Sequence, residues 1–216
     1  MLSGLVHLDY ICKYMKTREK IKNTATNLFN QKGVKNVTLR EVAMSLDKSY
    51  GNITYHFKTK NHLLLELFDE MVAETSEIMK SITSQNLFHG ILDAPKATFK
   101  ISMKYLFFYV DYVEIRRSYK DIYQKAEKGN TFRKKNYLKI LQLLQTQKIL
   151  RKELTKDDLN YLMDLSGAMR TFFFLNLHPD NFSDKNLDKK YIIYVNNLIV
   201  PYLTSKGLKE FRGYLK

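Results

Sequence analysis

The side chains best suited to specific chemistry cluster between Thr38 and Lys60, TLREVAMSLDKSYGNITYHFKTK, and the chemistry they suit is recognition rather than catalysis. Asn52 carries an amide whose donor and acceptor match the edge of a base. Gly51 lets a backbone approach closely, and Tyr50 and Thr54 fall on the same outward side of a short helix that Ser49 would cap. Thr38, Lys48, Tyr55, His56, Lys58 and Lys60 are placed for phosphate oxygens. The first and last of these also sit at helix N-termini, where backbone N–H groups favour anions.

No comparable constellation supports a reaction. The eight glycines are never closer than six positions, so no glycine-rich loop can cradle a phosphate. The five histidines (7, 56, 62, 89 and 178) show no metal-ligand spacing, and His-Glu-x-x-His is absent. His89 and His178 flank loops, where a solvated histidine is the plainer reading. No serine sits in a nucleophile elbow. The expectation is a chain that is not an enzyme and needs neither cofactor nor metal.

Two helices must position the Thr38–Lys60 cluster. Thr38 with Glu41 three residues on predicts a capping box opening a helix at Leu39, with Val42, Ala43 and Leu46 on one face. Asp47 and Lys48 interrupt that pattern, and Ser49 starts a second helix whose Ile53 and Phe57 point inward. A small side chain at Ala43 lets the two helices cross closely. The spacing predicts a helix-turn-helix whose second helix enters a DNA major groove. Upstream, Thr17 is read as the cap of a first helix through Ile21, Ala25, Leu28 and Phe29, closed by Gly33. A fourth helix, capped by Thr59, is read from Lys60 to about Ser81.

The stretch SYGNITYHFKTKNHLL resembles the recognition helix of the TetR (tetracycline-repressor) family, with Ser49, Gly51, Ile53, Tyr55, His56, Phe57, Lys60 and Leu63 at matching positions. REKIKNTATNLFNQKGVKNVTLREVA is similar to that family's first helix, glycine turn and second helix. The resemblance is specific from Thr17 to about Phe68 and architectural beyond. It implies a ligand-responsive transcriptional regulator, most often a repressor, acting as a homodimer on a palindromic operator in double-stranded DNA. The chain departs from the family in the turn, where Asp47 and Lys48 replace a glycine and an apolar residue. Asp tolerates a left-handed backbone better than most residues.

Charge distribution agrees with a polyanionic partner. The net charge is +14, and half of it falls within residues 15–62, about three times the density of the remainder. The single cysteine, Cys12, permits no intramolecular disulfide and fits a reducing cytoplasm. Residues 1–14 are too short for a membrane span and lack the pattern of a signal peptide. They read as an upstream start ahead of Met15, or as an arm reaching DNA.

Downstream, an irregular connection or a short helix is read from about Ser84 to Pro95, and an apolar helix from Lys96 to Glu114. Gly129-Asn130 is read as a break. Two last helices are read at Leu159–Leu177 and Asn186–Leu203, with a basic tail to Lys216. The resemblance implies a cavity in this half for a small apolar or aromatic effector, lined by Phe99, Met103, Phe107, Tyr137, Leu141, Met169, Arg170, Phe172, Phe173 and Asn176. A solid core needs the same residue types. The alternative is therefore a regulator controlled by a protein partner or acting constitutively. The reading is an all-α chain: an extension at 1–14, a helix-turn-helix domain at 15–62, and an effector and dimerisation domain at 63–216.

Overall fold

The computed structural model describes residues 2–83, 85–177 and 184–215. Every regular element among them is helical: α1 (Leu2–Lys32), α2 (Leu39–Ser45), α3 (Tyr50–His56), α4 (Lys60–Lys80), α5 (Leu87–Lys104), α6 (Phe107–Val110), α7 (Tyr112–Ser118), α8 (Lys120–Thr146), α9 (Lys156–Leu175), α10 (Leu187–Asn197) and α11 (Ser205–Tyr214). They form two compact units. One comprises residues 1–72 and 104–123, the other 73–103 and 124–216.

The first unit is the head. Ile21, Ala25, Phe29, Val34, Val37, Val42, Ile53, Phe57, Leu63, Leu64 and Leu67 are all buried there. The unit does not end at residue 62 as the sequence suggested. Leu63, Leu64, Leu67 and Phe68 of α4 are needed to close its core, and the segment around α6 and α7 adds Tyr105, Leu106, Phe107 and Ile115. Asn30 fastens that segment to the end of α1, donating to the Lys104 carbonyl at 2.9 Å and accepting from the Phe107 N–H at 2.9 Å. The Asp111 carboxylate accepts from the Val34 N–H at 2.7 Å, beside Gly33, whose φ of +80° closes α1.

The second unit packs α5, the later part of α8, and α9 to α11. Its core includes Leu92, Leu141, Leu144, Ile149, Leu159, Leu162 and Phe211. Thr155 and Asp158 form a reciprocal capping box at the start of α9.

Several boundaries differ from the sequence reading, each for a physical reason. α1 begins at Leu2, not after Thr17, because nothing between them breaks a helix and Arg18 reaches back one turn to the Tyr14 hydroxyl at 3.3 Å. Residues 2–13 are thus helical and continuous with the rest of α1. α5 runs straight through Pro95, because the buried stripe Leu87, Phe88, Ile91, Leu92, Pro95 and Thr98 outweighs one missing N–H. α8 likewise passes through Gly129, at a cost of about 0.5–1 kcal/mol relative to alanine. The last predicted helix is shorter, α10 stopping at Asn197 ahead of the 3₁₀ turn at Val200–Tyr202 that holds Pro201, and Thr204 caps a further helix, α11, where a tail was expected. The loop at His178 lies outside the described residues.

Candidate nucleic-acid interface

Two short helices meet across the four residues Leu46 to Ser49. Thr38 Oγ1 accepts from the Glu41 N–H at 3.2 Å and opens α2. The return half of the expected capping box is not made, because the Glu41 carboxylate pairs with Lys32 at 2.5 Å. Asp47 adopts φ +52°, the left-handed geometry the turn demands. Ser49 Oγ accepts from the Asn52 N–H at 3.1 Å and opens α3.

α3 has two faces. Ile53 and Phe57 are fully buried, whereas Tyr50, Gly51, Asn52 and Tyr55 are exposed. Tyr50, Gly51 and Asn52 are three of the four residues that the sequence assigned to a groove, and Tyr55, assigned to phosphates, is exposed beside them. Thr54 is half-buried, and its hydroxyl donates back to the Tyr50 and Gly51 carbonyls at 3.1 and 3.2 Å. It therefore contributes its methyl group more than a donor.

Arg18 holds the far end of α3. Its guanidinium donates to the His56 carbonyl at 2.7 Å, pairs with Glu66 of α4, and lies 4.2 Å from the Phe57 ring centre. Lys22 pairs with Glu19 and Glu70 beside it. These ions tie α1, α3 and α4 into one frame, so they do not serve DNA.

Two expected phosphate contacts are corrected. His56 is buried, with its ring 4.5 Å from that of Tyr14 and 5.3 Å from that of Tyr55. Burial, helped by the Arg18 charge, pushes its pKa below the usual histidine value. Lys60 is half-buried and turned inward, its ammonium donating to the Val34 and Val37 carbonyls at 2.8 and 2.9 Å. Burial pushes its pKa down, against the attraction of Glu114. It staples the loop between α1 and α2.

The exposed cations around the α2–α3 surface are Lys35, Arg40, Lys48 and Lys58, none of them in an ion pair among the described residues. Arg40 was missed by the sequence reading. Its guanidinium stands 5.3 Å from the Tyr50 ring centre, which sets it against the outward face. Its place one residue into a capped helix beside Thr38 was the available signal.

The residues expected to line an effector cavity are not assembled into one. Phe107 belongs to the head, packed against Phe29 at 5.2 Å. Leu141 is solid core. Phe99 and Phe173 stack with Phe174 and Tyr191. Phe172 is exposed and Asn176 caps α9 through the Phe172 carbonyl at 2.8 Å. Met103 and Met169 are half-buried and do not line the cavity formed by Leu92, Leu162 and Ile199. Of the expected residues only Tyr137 and Arg170 line it, and that cavity is about 20 Å³.

Family comparisons agree with this geometry. A model of bacterial regulatory proteins of the tetR family matches residues 21–67, and one of bacterial transcriptional repressors matches residues 64–211, more than half the chain. The chain belongs to the TetR family. Among solved structures, a TetR-family transcriptional regulator from Marinobacter aquaeolei VT8 superposes with a TM-score of 0.78 at 24% identity, covering 92% of this chain and 98% of that one. The ketosteroid transcriptional regulator KstR2 of Mycobacterium tuberculosis superposes at 0.68 with 16% identity, covering 88% and 96%. These likenesses establish the TetR fold. The probable HTH-type transcriptional regulator YttP of Bacillus subtilis is 36% identical over 70 residues, 32% of this chain. The HTH-type transcriptional regulator QacR of Staphylococcus aureus is 38% identical over 55 residues, 26% of this chain. The match spans about a third of the length of each of these two relatives. No described helix of this TetR-family chain is long and apolar enough to cross a membrane.

Proposed function

We propose that this TetR-family chain is a cytoplasmic repressor of transcription that binds a palindromic operator as a homodimer, with α3 in the major groove. The observation that carries the reading is the two-faced α3: Ile53 and Phe57 lock it to the head while Tyr50, Gly51, Asn52 and Tyr55 stay exposed among unpaired cations. Asn52 is assigned to a base edge, Lys48 and Lys58 to phosphates, and Arg40 joins them. Relief of repression by a small molecule bound among residues 73–103 and 124–216 completes the proposal. A signal from that unit can travel by the chain through α4, α5 and α8, since the chain passes between units at residues 72, 103 and 123. The small size of the cavity favours a second reading, in which that unit stays solid and a protein partner sets activity.

Footprinting on the DNA flanking the gene tests the core of the proposal. The expected result is protection of two half-sites about one DNA turn (~34 Å) apart. Asn52→Ala should lose about 1–3 kcal/mol at one base position and relax preference there. Uniform weakening on every sequence would instead move Asn52 to a phosphate role.

A further inference from the structure

Arg170 sits on α9 where a cation has little reason to be. It is half-buried and lines the cavity of the second unit, whose other walls include Leu92, Leu162 and Ile199. Its Nε–H donates to Ser166 Oγ at 3.4 Å, one turn back on the same helix. No carboxylate pairs with it among the described residues. A guanidinium carries five N–H donors in a fixed fork, and taking it partly out of water without an anion is costly. Tyr137 reaches the same cavity from α8, and burial pushes its phenol pKa upward, so it stays a hydroxyl donor despite the nearby Arg170 charge. The niche thus offers a guanidinium fork and a phenol hydroxyl as donors, beside Ser166 and Asn196, whose amide nitrogen already donates to the Leu92 carbonyl at 2.9 Å, and its remaining walls are apolar.

We infer that the effector is a monocarboxylic acid with an aliphatic body, its carboxylate held by Arg170 and Tyr137 and its chain directed along Leu92, Leu162 and Ile199. This rests on the effector reading above and narrows it from any apolar molecule to an acid. One fork and one phenol match a single negative charge in the bidentate manner arginine favours. A doubly charged phosphate would keep a charge unmatched among aliphatic walls. A neutral effector would leave the guanidinium unpaired. The cavity of about 20 Å³ has room for one water-sized group. An acid therefore enters by widening it, and a ligand that binds only the widened state shifts the population toward that state.

The test is calorimetric titration of the full chain with butanoate, hexanoate and octanoate against the alcohols of equal length, with operator release followed in parallel. The acids should bind, with affinity rising about fourfold per methylene, and the alcohols should bind at least tenfold more weakly. R170Q should abolish the preference for acids while keeping its helical circular dichroism and its operator binding. R170K should keep part of the preference, and Y137F should weaken acids severalfold. Equal binding of acids and alcohols, or undiminished acid binding by R170Q, overturns the inference. Uptake of the alcohols alone overturns the acid and leaves the effector reading standing. Uptake of neither series, with the operator complex unmoved, overturns both.

Discussion

At the scale of single residues, the head separates side chains that hold α3 from those that α3 presents. Lys60 is on the holding side. Its ammonium closes two carbonyls of the Gly33–Val37 loop, so Lys60→Ala leaves both without that partner. The expected result is a loss of about 1–3 kcal/mol in head stability, read by chemical denaturation, with the salt slope of DNA binding unchanged. Lys58→Ala should do the reverse, flattening that slope by about one unit with stability intact. His56 adds a pH dependence. Its folded pKa lies below the ordinary histidine value because it is buried beside Tyr14 and Tyr55 and repelled by Arg18. The unfolded chain therefore takes up the proton first, near pH ~6.5, so stability is full above that pH and lost as pH falls through the folded value. The Glu66 carboxylate is held by Arg18. His56→Phe should keep its melting temperature better than the parent between neutral and mildly acid pH. An identical decline in both proteins would assign the effect to other groups.

At the scale of elements, what the sequence made legible depended on whether the signal was local. Thr38, Asp47, Ser49, Thr59 and Thr155 announce their turns and caps through chemistry contained within three or four residues, and the structure carries out each one. Signals that depend on tertiary context read less well. Pro95 and Gly129 look like breaks, yet burial on α5 and continuity of α8 overrule them, since propensities of about 1–3 kcal/mol yield to a buried stripe. Lys60 and His56 match the family pattern by position, but which way each turns was set by carbonyls and rings contributed from elsewhere in the head. The chain after Pro201 shows the same limit, because α11 is fixed by a crossing no local pattern reveals. There the Thr204 N–H bonds the Ile149 carbonyl at 2.9 Å, and a Cβ placed on Gly207 would lie 2.3 Å from that same carbonyl oxygen. Gly207→Ala is therefore expected to push α11 off this backbone at a cost of about 1–3 kcal/mol. Gly129→Ala, with open space around its Cβ, should gain up to about 1 kcal/mol instead. Thermal melts of the two variants side by side should move in opposite directions.

At the scale of the whole molecule, the second unit leaves a row of apolar side chains without cover. On α9, Tyr161, Ala168, Phe172 and Leu175 are exposed, and their spacing of seven, four and three puts them on one stripe. On α10, Ile193 and Tyr194 are exposed as well. Gly167 has nothing within 4 Å of its would-be Cβ, which leaves room for a facing backbone. A second copy of this chain would cover such a stripe self-complementarily, so each substitution enters the interface twice. It would also bring the second recognition helix that a palindrome needs, since one helix reads only a few base pairs. Ala168→Arg should thus give a monomer with unchanged helical content, because the residue already faces outward and no core is disturbed. Its operator affinity should fall far more than that of a surface control such as Lys139→Ala. Sedimentation at micromolar concentration, run on both proteins, decides the matter: a parent chain that sediments as a monomer would remove the dimer from the proposal, and an Ala168→Arg dimer would move the interface off the α9 stripe.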